Sequence, residues 1–159
     1  PILHGVSKEK HVKPVYIKIK PDMEKKDLQE VAGILEKHPW VSGIILSNLT
    51  THREGLKTPK ADIDSLSIKG GLSGKPTRER STTQIRIMTK LTDKTIIGVG
   101  GIFTAKDAYV KIRAGASLVQ LVTGLIFQGP RMVGWINQGL VQMLHNDGFT
   151  TIKDAVGEK

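Results

Sequence analysis

Cysteine is absent from the 159 residues, which excludes disulfides, thiolate zinc sites and a cysteine nucleophile within this stretch. Aromatic residues make up only 4%, too few for platforms on which nucleic-acid bases stack. No apolar run approaches the roughly 18 residues of a membrane helix. The first ten residues, PILHGVSKEK, lack the apolar core of a signal peptide. With 38% apolar residues, one compact domain is expected.

Neither a metal site nor a nucleoside-triphosphate loop is evident in the sequence. The histidines are scattered without the spacing of metal ligands, and the carboxylates form no clear acid–base pair. The glycine-rich stretch KGGLSGKPT at residues 69–77 fails the P-loop template. Lys69 stands at the first glycine position, and Pro76 replaces the hydroxyl residue that binds magnesium. These glycines need another explanation.

Positive charge is in excess, with 24 Lys and Arg against 15 Asp and Glu and a formal net charge of +9. An anionic partner is therefore expected, such as a phosphorylated cofactor or a nucleic acid. Because acidic residues are interleaved with the basic ones, solvated helix faces are a better interpretation than a nucleic-acid-binding stripe. A basic nucleic-acid-binding module centred on residues 53–80 remains the non-enzymatic alternative.

Hydrophobic periodicity predicts four strands that alternate with helices. Strands are predicted at KPVYIKIKPD, SGIILSN, TIIGVGG and ASLVQLV, and helices at LQEVAGILEKH, TRERSTTQIRIMTKL, 104–114 and 131–146, with a terminal helical turn at TTIKDAV. Thr104 and Asp107 have the spacing of a capping box. Residues 49–69 are polar without periodicity and are predicted to be a loop. The apolar stripe of the last long helix is predicted to consist of Val133, Ile136, Leu140 and Leu144.

The order of these elements predicts an α/β fold in which a parallel sheet is covered by helices. Four β/α units are half of a (β/α)₈ TIM barrel, and an open doubly wound sheet is the competing geometry. Small or polar residues follow every strand at its carboxyl end, where barrels build their sites. Half a barrel leaves two exposed strand edges. We therefore expect residues 1–159 to be the carboxyl-terminal half of a barrel domain whose amino-terminal half is absent from this chain.

Two glycine-containing strand ends are candidates for an anion site. GVGG, which contains Gly100 and Gly101, lets a ligand approach the backbone closely, and VTGL offers the hydroxyl of Thr123 and backbone N–H groups. Together they favour a phosphate site. The alternative is that the glycines only permit a tight turn from strand to helix.

Lys18 and Asn48 stand at the ends of the first two strands. If Val15, Ile17 and Ile19 face the helices, Lys18 faces the barrel interior. There it is either an imine-forming nucleophile of a phosphate-binding lyase or isomerase, or a fixed positive charge beside an anionic cofactor. A rim lysine that reaches water is the third possibility. Asn48 suits a planar amide or carboxylate ligand, or forms a turn.

The segments YIKIKPD, ILSNLTT, GGLSGKP, IIGVGGI and DAYVKIRAGASLVQLVTGL occur here in order. In sequence and spacing they closely resemble the carboxyl-terminal half of class 2 dihydroorotate dehydrogenases, over roughly residues 14–157. The resemblance implies a (β/α)₈ barrel that holds FMN and oxidises dihydroorotate to orotate, with electrons passed to a quinone. It also implies a peripheral membrane protein, anchored through an amino-terminal region. The location would be the mitochondrial inner membrane in a eukaryote, or the cytoplasmic face of the inner membrane in a bacterium. No nucleic-acid partner is implied.

The resemblance assigns roles to individual residues by their position in these motifs. Asn48 matches the asparagine that binds orotate, and no catalytic residue is expected here, since the serine base of the family would lie upstream of Pro1. No metal ligand is implied. The implied FMN-binding residues are Lys18 near the polar edge of the flavin, Ser47, Ser73 and Gly74 beside the flavin, and Gly100, Gly101, Val122 and Thr123 around the phosphate.

Two residues depart from the family pattern. Leu49 follows Asn48 where the family usually has threonine, and leucine cannot donate a hydrogen bond. Thr50 would replace that threonine in the substrate site if the loop is shifted by one residue. Val122 stands where tyrosine is common, and this change should matter little because the backbone N–H makes the phosphate contact.

Overall fold

The computed structural model describes residues 13–65 and 70–158, together with Leu3 and Gly5. Strands and helices alternate along the chain. The strands are β1 (Val15–Ile19), β2 (Val41–Leu46), β3 (Thr95–Val99) and β4 (Leu118–Gln120). The helices are α1 (Lys25–Glu36), α2 (Lys60–Ser65), α3 (Arg78–Met88), α4 (Ala105–Arg113), α5 (Thr123–Gln128), α6 (Arg131–Asn146) and α7 (Ile152–Ala155), and a 3₁₀ turn (Lys75–Thr77) precedes α3.

The four strands form one parallel sheet in the order β1-β2-β3-β4. Register aligns Lys18 with Ile45, Ile45 with Ile97, and Ile97 with Leu118. Parallel neighbours require a crossover between them. The carboxyl ends of all four strands therefore lie at one edge of the sheet, followed by the loops that lead to the helices.

Two apolar clusters hold the helices in place. The first joins α1 and α3 to the sheet and includes the fully buried Leu28, Leu35 and Ile85. The second joins α4, α6 and α7, and Ile112 and Ile136 are among its buried members. Burial of this kind contributes about 25 cal/mol for each Å² of apolar surface removed from water.

Most predicted elements are present, with shorter boundaries for several. The predicted strand at ASLVQLV spans only three residues of β4, since the chain leaves the ladder at Leu121 and turns into α5. The helix predicted at TRERSTTQIRIMTKL ends at Met88, three residues before Leu91. The capping box at α4 is confirmed, with the Asp107 N–H donating to Thr104 Oγ1 at 3.2 Å and the Thr104 N–H donating to Asp107 Oδ2 at 3.0 Å.

Two sequence expectations are wrong, and one helix was not predicted. The predicted loop 49–69 contains α2, whose residues are not buried and therefore carry no apolar periodicity; residues 66–69 of that loop lie outside the described part. The six-residue helix α5 was not predicted, because so short a segment shows no helical repeat. Val133 is 44% exposed, and Met132 takes its place in the buried stripe of α6.

Helix α1 offers a matched test of the first cluster. Leu35 is 0% exposed and its neighbour Ile34 is 45% exposed. Leu35→Ala should lower the free energy of unfolding by about 2–5 kcal/mol because it leaves a cavity, whereas Ile34→Ala should change it by about 0.5 kcal/mol or less. Urea unfolding of the full-length protein measures both, and equal losses would contradict this packing.

Candidate functional site

A single cleft opens at the edge of the sheet where the strands end. Its lining brings together ten of the eleven residues that the sequence predicts for the site. These are Lys18, Ser47, Asn48, Leu49, Ser73, Gly74, Gly100, Gly101, Val122 and Thr123. They come from four strand ends and from the loop before the 3₁₀ turn, so that residues more than 100 positions apart share one surface. Their individual roles remain predictions.

The ends of β1 and β2 bring a cation, an amide and a hydroxyl to one wall of the cleft. Lys18 and Asn48 are exposed there, and the Asn48 N–H donates to the Ile19 carbonyl at 2.8 Å, which continues the β1–β2 pairing beyond the ladder. Ser47 is 1% exposed. Its hydroxyl has no hydrogen-bond partner among the described residues. A buried unpaired hydroxyl costs roughly 1–3 kcal/mol, and a ligand in the cleft would supply the missing partner.

The glycine turn after β3 forms the floor of the cleft. Gly100 and Gly101 have φ angles of +104° and +71°, a region that residues with a side chain rarely adopt. Space excludes a side chain as well. A Cβ atom on Gly100 would lie 2.5 Å from Thr77 Oγ1, and one on Gly101 would overlap Arg78 Cβ. Both glycines are therefore required by the close approach of this turn to the amino-terminal end of α3.

The loop at residues 73–74 contacts the beginning of α5 across the cleft. The Thr123 hydroxyl donates to Ser73 Oγ at 2.9 Å. Gly74 has φ +77°, and a Cβ on it would lie 2.9 Å from Thr123 Cγ2. Gly74 of the GGLSGKP stretch thus serves the packing of this loop against the start of α5. A Cβ on Gly71 would overlap the Leu49 side chain, whereas one on Gly70 would meet nothing within 4 Å.

Thr50 lies outside the cleft lining, and its part in substrate binding stays a prediction. It is 1% exposed, and its hydroxyl donates to Asp22 Oδ1 at 2.6 Å. Its backbone pairs with Leu72 in an isolated antiparallel bridge. Leu49, which is 45% exposed, lines the cleft instead.

Asp22 anchors the loop that follows Asn48. Its carboxylate accepts hydrogen bonds from Thr50 Oγ1 and from the Thr51 N–H at 2.7 Å. Burial would raise the pKa of Asp22, but the hydrogen bonds from Thr50 and Thr51 and the nearby His52 outweigh it, so the pKa lies below its usual value. The carboxylate therefore stays charged at neutral pH and holds this loop in place.

Sequence reasoning missed several residues of the cleft. Thr77 is buried and its hydroxyl donates to the Gly74 carbonyl at 2.8 Å. Nothing in its local pattern marks it, because its contact depends on the fold of the glycine turn. Ile102 and Leu121 also line the cleft. Ile102 directly follows a predicted strand and Leu121 lies within the last one, and only these positions would have indicated them.

Two further kinds of site are not found in the part of the chain that the structure describes. Residues 13–65 and 70–158 contain no group of three or more histidine, aspartate or glutamate side chains placed to hold a metal ion. Among the helices in these ranges, none has both the length and the apolar character needed to cross a membrane.

Parallel β/α units with polar and glycine-rich strand ends around one cleft define the class of β/α-barrel proteins that bind a ligand at the carboxyl ends of their strands. The family model for dihydroorotate dehydrogenase matches residues 1–144. The chain belongs to the dihydroorotate dehydrogenase family.

Relatives and solved structures agree with this assignment. The chain is 46% identical over 145 residues to dihydroorotate dehydrogenase (quinone) of Halobacterium salinarum, covering 91% of this chain and 40% of the relative. It is 43% identical over 150 residues to the same-named protein of Nostoc punctiforme, with the same coverage. The ligand-free DHODH of Eimeria tenella matches with a TM-score of 0.81 and 33% identity over 89% of this chain and 39% of that one.

These matches confirm the fold-class prediction of α/β architecture with part of a (β/α)₈ barrel. The chain spans about 40% of the length of the relatives it matches. The lyase or isomerase with an imine-forming Lys18 and the nucleic-acid-binding module find no support in these comparisons.

The close approach of the glycine turn to α3 can be tested by comparison with a glycine that also has a positive φ but no close neighbour. Gly101 and Gly148 have φ angles of +71° and +79°, but a Cβ on Gly148 would meet nothing within 4 Å. Each substitution by alanine should cost roughly 1–2 kcal/mol for the backbone conformation. Gly101→Ala should cost about 1–3 kcal/mol more, because it forces Arg78 away. Urea unfolding of the full-length variants measures the difference, and equal stabilities would refute the close approach.

Proposed function

We propose that the protein acts as a quinone-linked dihydroorotate dehydrogenase of pyrimidine synthesis, with FMN as its cofactor. The reaction removes two hydrogens from dihydroorotate to form orotate, and the two electrons pass on to a quinone. Two relatives at 43–46% identity carry the name dihydroorotate dehydrogenase (quinone). Because the chain spans about 40% of their length, we propose the activity for the full-length protein rather than for this chain alone.

One observation carries the proposal: residues from four strand ends and the 73–74 loop converge on a single cleft. Had Lys18, Asn48, Ser73 and Thr123 opened on different sides of the molecule, no common ligand would connect them. They converge at the carboxyl edge of a parallel sheet, and this edge is where α/β barrels bind their cofactors.

The residues present fit FMN. The buried Ser47 hydroxyl lacks a partner, and a flavin ring with polar atoms along its edge would provide one. Gly74 lines the cleft and has no side chain, so a planar ring can lie close to the backbone there. When bound, FMN would supply the acceptor for the electrons that leave dihydroorotate.

We assign the phosphate of FMN to the glycine turn and the start of α5. Gly100 and Gly101 keep the backbone free of side chains, and Thr123 has a hydroxyl at the same edge of the cleft. Backbone N–H groups of such turns bind anions. Val122 is 56% exposed, so its side chain is free of the packing that would make the identity of this residue important.

Substrate binding falls to Asn48, whose amide has both donors and acceptors for the planar ring of orotate. Leu49 lies next to it in the cleft lining and contributes only apolar contact. The neighbouring Thr50 is engaged with Asp22. The substrate pocket therefore relies on Asn48 for polar contact from this loop, and on residues outside this chain for the rest.

Lys18 would act as a fixed positive charge. It is exposed at the cleft, where its ammonium group can lie beside the polar edge of the flavin. A reduced flavin carries negative charge at that edge, and a cation held near it favours reduction.

We propose that an amino-terminal half completes the barrel. Strands β1 and β4 are sheet edges, and on the face away from the helices Tyr16 is 36% and Leu118 57% exposed. Unpaired parallel edges with apolar side chains need a cover. The missing half would supply the serine base and the contact with quinone and membrane. The location would be the mitochondrial inner membrane in a eukaryote, or the cytoplasmic face of the inner membrane in a bacterium.

The cofactor can be identified directly. The purified full-length protein should be yellow and should release about one flavin per protein on denaturation, which chromatography against FMN, FAD and riboflavin standards should identify as FMN. It should also reduce a quinone analogue when dihydroorotate is added. A colourless protein that binds no added FMN would refute the proposal.

Lys18 has a matched control two residues away. Lys20 is also exposed but does not line the cleft. Lys18→Ala should slow flavin reduction by dihydroorotate about a hundredfold with little effect on stability, whereas Lys20→Ala should leave the rate unchanged. Rapid-mixing absorbance at the flavin band measures both, and an unaltered rate in Lys18→Ala would rule out the proposed role.

A further inference from the structure

Lys111 on α4 is a charged side chain in the interior of the protein. It is 0% exposed, the largest fully buried side chain among the described residues. Among those residues, it has no carboxylate partner within salt-bridge distance. A buried ammonium group is costly unless its three donors are satisfied. Nothing in the proposed binding of flavin or substrate so far uses this lysine.

Three oxygens at the start of α3 accept hydrogen bonds from the Lys111 ammonium group. They are the Thr82 hydroxyl at 3.1 Å, the Arg78 carbonyl at 3.3 Å and the Ser81 hydroxyl. The three N–H donors of the ammonium group thus have three acceptors, all of which lie between residues 78 and 82. The aliphatic part of the side chain packs under β3, where a Cβ on Gly98 would lie 3.3 Å from Lys111 Cδ.

This turn of α3 is the surface on which the glycine turn rests. A Cβ on Gly100 would lie 3.4 Å from Ser81 Oγ, one of the Lys111 acceptors. The Arg78 side chain binds the same turn from above, with its Nε donating to the Gly101 carbonyl at 2.8 Å and its Nη2 donating to Asp107 Oδ2 at 3.1 Å. Lys111 is therefore one residue removed from the backbone assigned to the phosphate.

We propose that Lys111 is a positioning residue for the cofactor phosphate. Its ammonium group holds the first turn of α3 against Gly100 and Gly101, and it places a positive charge beneath the phosphate. The inference rests on the proposed function, because it takes the glycine turn as the phosphate site.

Titration of Lys111 provides a signature of this role. Burial lowers the pKa of Lys111 to about 8. The charged groups around it partly cancel: Glu79 and Asp107 raise the pKa, whereas Arg78 and Arg86 lower it. These groups lie on α3 and α4, the helices packed around the ammonium group. The charge beneath the phosphate is therefore present at neutral pH and is lost above about pH 8.

A comparison of FMN with riboflavin, which lacks the phosphate, isolates the contribution of Lys111 to phosphate binding. Apo-protein of full length is titrated with each flavin, and quenching of flavin fluorescence gives the two dissociation constants. Lys111→Met should weaken FMN binding about tenfold and riboflavin binding less than about twofold. Lys106→Met, an exposed lysine of the same helix, should leave both constants unchanged. Equal weakening of both flavins, or none, would overturn the proposal.

The wild-type protein supplies a second measurement that does not depend on the folding of a variant. Its preference for FMN over riboflavin should fall between about pH 7 and pH 9, a range in which neither the phosphate nor the flavin ring changes charge. A preference that stays constant over this range would overturn the role of Lys111 while leaving FMN binding intact. A wild-type protein that binds no FMN would instead overturn the proposed function itself.

Discussion

The parallel pairing of four strands is the constraint on which the site depends. Each strand must run in the same direction as its neighbour, so each needs a helix to return the chain to the other end of the sheet. All strand ends of one kind therefore meet at one edge. Residues as distant in the chain as Lys18 and Thr123 therefore line the same cleft, although neither local sequence indicates the other.

The two faces of the sheet are unequal in a way that follows from this topology. The crossovers place the helices on one face, where Ile44, Leu46 and Ile85 are fully buried. The opposite face includes Tyr16 and Leu118, which are partly exposed. Such a face is suited to the interior of a closed barrel, in agreement with the family of the chain and with the structural match to the Eimeria tenella protein.

The two lysines at the site represent two uses of positive charge. Lys18 reaches the cleft from an exposed position, whereas Lys111 lies beneath it without solvent contact. An exposed ammonium group keeps most of its hydration, but a buried one needs fixed acceptors such as those at the start of α3. A ligand with both an anionic phosphate and an electron-rich ring would contact Lys18 directly. The charge of Lys111 would act on its phosphate from behind the glycine turn.

Local sequence was sufficient for the order of strands and helices, since a buried strand or an amphipathic helix leaves its period in the chain. It was also sufficient for Lys18, Asn48, Gly100, Gly101 and Thr123, because glycines and polar groups at strand ends mark the carboxyl edge of a parallel sheet. The other five predicted residues of the cleft came from the resemblance to the family. The short helices α2 and α5 escaped, because six residues are too few to show a helical repeat.

Only the tertiary structure decided which residues near the site are available to a ligand. Thr50 is turned away to Asp22, Val133 is displaced from the core by Met132, and Lys111 lies under the glycine turn. Thr50 and Lys111 depend on partners at least 28 residues away in the chain. Val133 and Met132 depend on the rotation of α6 about its axis. Such contacts arise only when the elements pack, because the period of a sequence specifies a face but not what that face will meet.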